Sequence, residues 1–406
     1  MNIKDIKIPV AFQFTMDDVG WIEGRTPYWE GFQPTRTGIP RRHVLADYQV
    51  VNEIGKLANM KICGMFVLGD WDRNGILKDV ACATKEGKNW KGSIALKEKN
   101  LVDIANTNVW MDNKEDWPEL INKEQTEIVE FLNSCEYIEM AYHGLMHECW
   151  DEDGNCMSAE FVPPADLKPG NERGPAPEWY VRQHLDAFRE IYKDWGFTKE
   201  LRSFTCPGHC LNAWKDGSYT KILKDYGIKY WQEPYVTHPF VDNGVMLNKM
   251  PGWIAVWEAY DINPDKLPTY TEENAGIICT HWPNFLRHDP DRNFEDLDKW
   301  KNFFDRQKNV FGIILSRDIA FAHHQQLYRH YCDITEVDGK IKIDFSKADE
   351  AATEKFGAPL YISVKNGVEF ECEGGTMTVY EKLNDFTNYE IKRDGKNDVF
   401  IKPVSK

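Results

Sequence analysis

The sequence predicts an α/β fold over roughly residues 1–330 and a small β-rich domain over 331–406. Two patterns carry this expectation. Short apolar runs alternate with segments of helical period, as in parallel strands joined by helical crossovers. Past about residue 331 that rhythm gives way to apolar–polar alternation around Gly and Asn turns, the mark of antiparallel strands.

IPVAFQF (8–14) reads as a buried strand, HVLADYQVVNEIGKLANM (43–60) as a helix and KICGMFVLGD (61–70) as the next strand. The stretch from about 71 to 125 is irregular, polar and Trp-bearing, and reads as an insertion. KEQTEIVEFLNS (123–134) is a helix and EYIEMAYHG (136–144) a strand running into a loop. EFVPPADLKPGNERGPAP (160–177), rich in Pro and Gly, is a surface loop.

An amphipathic helix follows over 178–197, ending at Gly196, then the strand and turn RSFTCPG. GSYTKILKDYG (217–227) is a helix, IKYWQEP (228–234) a strand and AGIICTHWP (275–283) another buried strand. FEDLDKWKNFFDRQKN (294–309) and GIILS (312–316) supply a last helix and strand. This alternation fits a barrel or a doubly wound sheet. KIKIDFS, PLYISVKNGVEFECEGGTMTVYEKL and DVFIKP form the β-domain, where Tyr380 and Tyr389 are the aromatics to inspect for glycan contact.

The 406 residues are enough to bury a large core. A net charge of −16 argues against duplex nucleic acid and anionic membrane surfaces as partners. No stretch approaches the roughly 20 apolar residues of a membrane span. MNIKDIKIPVAFQF lacks a basic region followed by a long apolar one, which predicts no signal peptide and a cytoplasmic protein. Ten scattered cysteines without a C-x-x-C pair read as mostly reduced. Fifteen tryptophans fit an aromatic core, with a minority free to line a cleft for sugar rings.

Four short stretches carry candidate chemistry. FQFTMDDVGW places Asp17 and Asp18 side by side after a strand, which suits a turn or cap as well as a site. AYHGLMHE holds His143 and His147 four residues apart, close enough to share a cation, or else two unrelated polar histidines. CTHWP sets His281 just past a buried strand, and RSFTCPGH flanks a turn with Arg202 and His209. In α/β folds the C-terminal ends of strands converge on the active face. One carboxylate and two imidazoles there make a divalent-metal site with positions open to water and substrate.

In this order the residues resemble the polysaccharide deacetylase family (the NodB-homology, carbohydrate-esterase type). The first motif, T-F-D-D-G, reads Thr15-Met16-Asp17-Asp18 with Gly20 one place late. The second, H-[ST]-x-x-H, reads His143-Gly144-Leu145-Met146-His147. The third, R-x-P-[YF], aligns with Thr205-Cys206-Pro207-Gly208, and the last, Leu-x-His, with Cys279-Thr280-His281. The resemblance spans most of residues 8–330 and leaves out the β-domain.

It implies a distorted (β/α) barrel of about seven strands and a zinc-type ion held by Asp18, His143 and His147. Asp17 would be the general base and His281 the general acid. Arg202, Pro207, His209 and Trp282 would bind or orient substrate. The implied activity is removal of an N-acyl group, most often acetyl, from a sugar or oligosaccharide. A non-catalytic carbohydrate binder and a hydrolase of another linear or cyclic amide are the alternatives.

Three departures stand out. Thr205 replaces the arginine that orients the base, with Arg202 as the stand-in. Gly144 replaces the Ser/Thr that shapes the metal loop, and some 125 residues separate the first two motifs.

Overall fold

The computed structural model describes residues 3–20, 43–83, 117–150, 156–163, 175–208, 218–253, 261–353, 356–365 and 369–404. Most of the expected insertion (84–116) and most of the expected 160–177 loop (164–174) lie outside the described residues.

Strand β1 (Ile6–Lys7) leads into β2 (Val10–Val19), the axis of the fold. All ten residues of β2 are buried, as a parallel strand covered on both faces must be. Further strands are β3 (Ile62–Val67), β4 (Ile138–Gly144), a hairpin of β5 (Glu148–Trp150) and β6 (Cys156–Ala159), β7 (Ser203–Phe204) and β8 (Tyr230–Glu233). Then come β9 (Phe240–Asp242), β10 (Val245–Lys249), β11 (Gly252–Trp253), β12 (Ile277–His281) and β13 (Ile313–Leu315).

The main sheet runs β11-β12-β2-β3-β4-β7-β8-β10-β9. Neighbours are parallel from β11 through β10, and β9 adds one antiparallel edge. β2 is shared lengthwise: β13 pairs with Val10–Phe12 and β12 with Gln13–Asp17. Helices Leu45–Ala58, Trp117–Ser134, Glu178–Asp194, Ser218–Asp225 and Leu297–Lys308 make the crossovers.

The expectation of a barrel of about seven strands is met only in its coarse form. Eight parallel strands curl together, and the sheet stays open. Only Met250 and Pro251 separate β10 from β11, so the two ends of the parallel run lie within roughly 11 Å of each other along the chain. No ladder joins them among the described residues. Pro251 has no N–H to donate, and β11 is two residues long.

Phe14 anchors β2 in the core. The rings of Phe12, Phe285, Trp300, Phe303 and Phe304 lie with centroids 5.0–6.1 Å from its own. Trp71, Trp231, Trp282 and Trp300 are also buried, whereas Trp179 is 54% exposed. Among the described residues no helix is long and apolar enough to cross a membrane. Among the described residues seven cysteines are free, and Cys206 is disulfide-bonded, an exception to the mostly reduced set expected.

Helix Ile319–Tyr331, absent from the sequence expectation, leads into the β-rich unit. That unit contains β14 (Asp333–Val337), β15 (Lys340–Asp344), β16 (Leu360–Lys365), β17 (Phe370–Glu373), β18 (Gly375–Lys382), β19 (Phe386–Arg393) and β20 (Asp398–Pro403). They form two antiparallel sheets, β14-β15-β20-β17 and β1-β16-β19-β18. The N-terminal strand β1 thus belongs to the C-terminal unit, with Ile6 opposite Val364. Tyr389 is only 6% exposed and packs in the core, while Tyr380 sits against Tyr361 at 4.9 Å.

Helix Ile319–Tyr331 also gives the fold an acid-sensitive group. Burial is the main cause that lowers the pKa of His324 from 6.5 to about 4; Asp318 opposes the shift and Arg202 adds to it. The unfolded chain therefore binds a proton below about pH 6.5 that the folded chain refuses until about pH 4. This contribution to stability is complete above that window and is lost as pH falls through it, about 3 kcal/mol in all. Urea unfolding of metal-free protein at pH 7, 5.5 and 4.5 should show His324→Gln losing less stability on acidification than wild type.

Candidate metal centre

Two β-bulges build the centre. Between β2 and β3 the register passes from Met16↔Gly64 to Val19↔Phe66, so β2 carries one extra residue at the carboxylates. In a regular strand the side chains of Asp17 and Asp18 would point to opposite faces. The extra residue, with Asp18 at φ 66°, turns the second carboxylate into the C-terminal rim. Between β3 and β4 the register passes from Phe66↔Tyr142 to Val67↔Gly144, leaving His143 as the bulged residue. His147 follows in a loop with φ 63°. Non-glycine residues in the left-handed region are uncommon and cluster at functional sites.

Asp18, His143 and His147 are buried, and one ligand atom from each lies within 4.8 Å of the other two. Asp18 Oδ1 is 3.2 Å from both His143 Nε2 and His147 Nε2, yet it has no aligned hydrogen bond. The far side of each imidazole is fixed. His143 Nδ1 donates to the Thr205 carbonyl at 2.8 Å, and His147 Nδ1 meets Glu148 Oε1 at 2.5 Å. Both partners accept, so both Nε2 lone pairs are left for the centre, the arrangement that orients histidines toward a divalent ion.

The electrostatics agree. Burial opposes the charge on Asp18, but His147, His143 and His281 outweigh it and hold its carboxyl well below the usual range. Burial also works against protonation of His143, while Asp18 and Asp17 outweigh it and push its pKa up to about 9. The carboxylates thus create a demand for positive charge that a proton meets without a metal and that a cation would meet by displacing it.

His281 reaches the same centre from the end of β12, where it pairs in register with Asp17. Its Nε2 lies 3.6 Å from Asp18 Oδ2. Burial lowers its pKa, with Asp18 and Asp17 pulling the other way. Asp17 Oδ2 accepts from the Cys279 thiol at 3.2 Å, and its buried Oδ1 has no hydrogen-bond partner among the described residues.

The sequence matches no protein-family model and no curated protein. Among solved structures it is similar to the 4-alpha-glucanotransferase of Thermococcus litoralis, with 11% identity and a TM-score of 0.33. That likeness covers 76% of this chain and 39% of the other, so the chain spans well under half of that protein. A likeness this low carries no argument about activity.

The remaining expected residues divide. Pro207 is buried beside the Gly144–His147 loop, its Cγ 3.1 Å from where a Cβ on Gly144 would stand. Arg202 does not stand in for the arginine of the third motif. It ion-pairs with Glu139 and, at 3.3 Å, with Asp318, and its guanidinium lies 5.8 Å from the Tyr230 ring centroid. Trp282 is fully buried with its ring 4.8 Å from Tyr48. His209 lies outside the described residues.

Sequence reasoning missed Cys279, Glu148, Glu160 and His184. Glu148 had a local signal, since a carboxylate next to a ligating histidine is a ready partner for its second nitrogen. The others become visible only when the strands are assembled.

Proposed function

We propose that this protein is a metal-dependent hydrolase that removes an acyl group, most often acetyl, from the nitrogen of a sugar or a similar compound. The observation that carries the reading is the buried convergence of Asp18, His143 and His147, with both imidazoles pinned from behind. The motif order read from the sequence supports it. Three protein ligands with positions left open fit a catalytic divalent ion, zinc being the first choice for one carboxylate and two imidazoles.

When bound, such an ion would lower the pKa of a water to about 7 and polarise the acyl oxygen. Asp18, His143 and His147 would hold it. Asp17 is the base: its free Oδ1 accepts a proton from the attacking water while the Cys279 thiol steadies Oδ2. His281 delivers a proton to the leaving nitrogen and reloads from solvent. Burial, which lowers its pKa, favours the neutral ring once that proton has left.

The test compares apoprotein with protein reloaded with Zn²⁺ or Co²⁺. Acetate release from N-acetylhexosamine compounds is expected only after reloading, and chelation should abolish it. Formate release from formamides without acetate release would move the substrate class to other amides. No acyl release from any substrate with metal bound would overturn the reading.

A further inference from the structure

The four residues that carry the second histidine into the centre do not hold themselves in place. Gly144 has φ 123° and His147 φ 63°, and between them three successive backbone N–H groups point to one side. All three meet the same side chain. Leu145 N–H donates to Glu160 Oε1 and Oε2 at 2.8 and 2.9 Å. Met146 N–H and His147 N–H donate to Oε2 at 2.9 and 2.8 Å. Successive amides converging in this way form a nest, a concavity suited to an anion.

Glu160 is brought there by the β5–β6 hairpin, in which Glu148 pairs with Ala159 and Glu160 N–H donates to the His147 carbonyl at 3.0 Å. Its carboxylate is completely buried. A buried carboxylate is stabilised only when its acceptor capacity is filled, and charge-assisted bonds from amides do this well. His184, from helix Glu178–Asp194, completes the set. Its Nδ1 lies 2.6 Å from Glu160 Oε1 and its Nε2 2.7 Å from the Ala81 carbonyl. The Tyr180 ring stacks on the imidazole at 4.1 Å.

Gly144 fits this arrangement for a steric reason as well as a conformational one. A Cβ there would stand 2.3 Å from Glu160 Oε2.

We infer that Glu160, backed by His184, is a positioning residue that sets the metal affinity of the centre by fixing the Gly144–His147 loop. It touches neither ion nor substrate. It acts through the backbone of His147, whose left-handed conformation costs free energy that the four amide bonds offset. The inference rests on the reading of Asp18, His143 and His147 as metal ligands.

The experiment measures Zn²⁺ affinity by competition with a chromophoric chelator and records the visible spectrum of the Co²⁺ form. Glu160→Gln keeps the volume but turns an NH₂ toward donors. A 10–100-fold weaker Zn²⁺ affinity is expected, the range seen when partners behind metal ligands are changed, together with a shifted Co²⁺ spectrum. Ile343→Ala, a change in the core of the β-rich unit on β15, should lower the melting temperature yet keep wild-type affinity and spectrum.

Wild-type affinity in folded Glu160→Gln, with metal lost in Asp18→Asn, would overturn the inference and leave the metal reading standing. Equal metal binding by wild type and Asp18→Asn would sink both. Should Glu160→Gln fail to fold, His184→Gln decides: a roughly tenfold loss supports the inference, and affinity unchanged within about twofold overturns it.

Discussion

Replacing Asp18 by Asn is expected to strip the divalent ion from the centre and reduce acyl release to background. Asn tolerates the left-handed backbone better than most residues, so the bulge at φ 66° survives and only the charge is lost. What remains is a set of buried imidazoles without the carboxylate that faces His143 and His147 at 3.2 Å. Changes behind a ligand cost 10–100-fold in affinity; loss of a charged ligand should cost roughly 10³-fold. Metal content after dialysis checks the first half and acetate release the second. His143 provides an internal control. Its pKa, held near 9 chiefly by Asp18 and Asp17 against burial, should fall in the variant.

Gly144→Ala should be nearly as damaging without touching any ligand atom. Two costs combine: an alanine at φ 123° is strained whatever the space around it, and its Cβ meets Glu160 Oε2 at 2.3 Å. The carboxylate cannot retreat, because three amides and His184 hold it. A destabilisation of about 3 kcal/mol or more is expected, read as a lowered urea midpoint, with metal affinity falling at least as far as in Glu160→Gln. Removing Glu160 as well should relieve the clash but not the strain. Gly144→Ala/Glu160→Ala should therefore be less destabilised than the sum of its parts.

How far the sequence disclosed this arrangement depends on distance along the chain. The strands carrying Asp17, His143 and His281 were legible because their apolar runs need no partner to be recognised, and parallel order then puts their C-terminal ends on one rim. β9 and β11 are three and two residues long, too short to leave a periodic trace, so the strand count and the open edge were not. Helix Ile319–Tyr331 was missed because it is buried on most sides and carries little amphipathic signal. Arg202 was misassigned because adjacency to a motif says nothing about which side of a sheet a side chain takes. It went to Glu139 and Asp318. Glu160 and His184 lie 13 and 37 residues beyond His147, and only the hairpin and the helix packing bring them beneath it.

The pairing of Ile6 with Val364 bears on how the chain is made. A ribosome releases Val364 roughly 20–70 s after Ile6, at 5–20 residues per second. Throughout that interval the strand with the two carboxylates can find its parallel neighbours, but the segment three residues ahead of it has no sheet to join. The β-rich unit, which holds none of the proposed chemistry, then acts as the latch that fastens the segment ahead of the two carboxylates last.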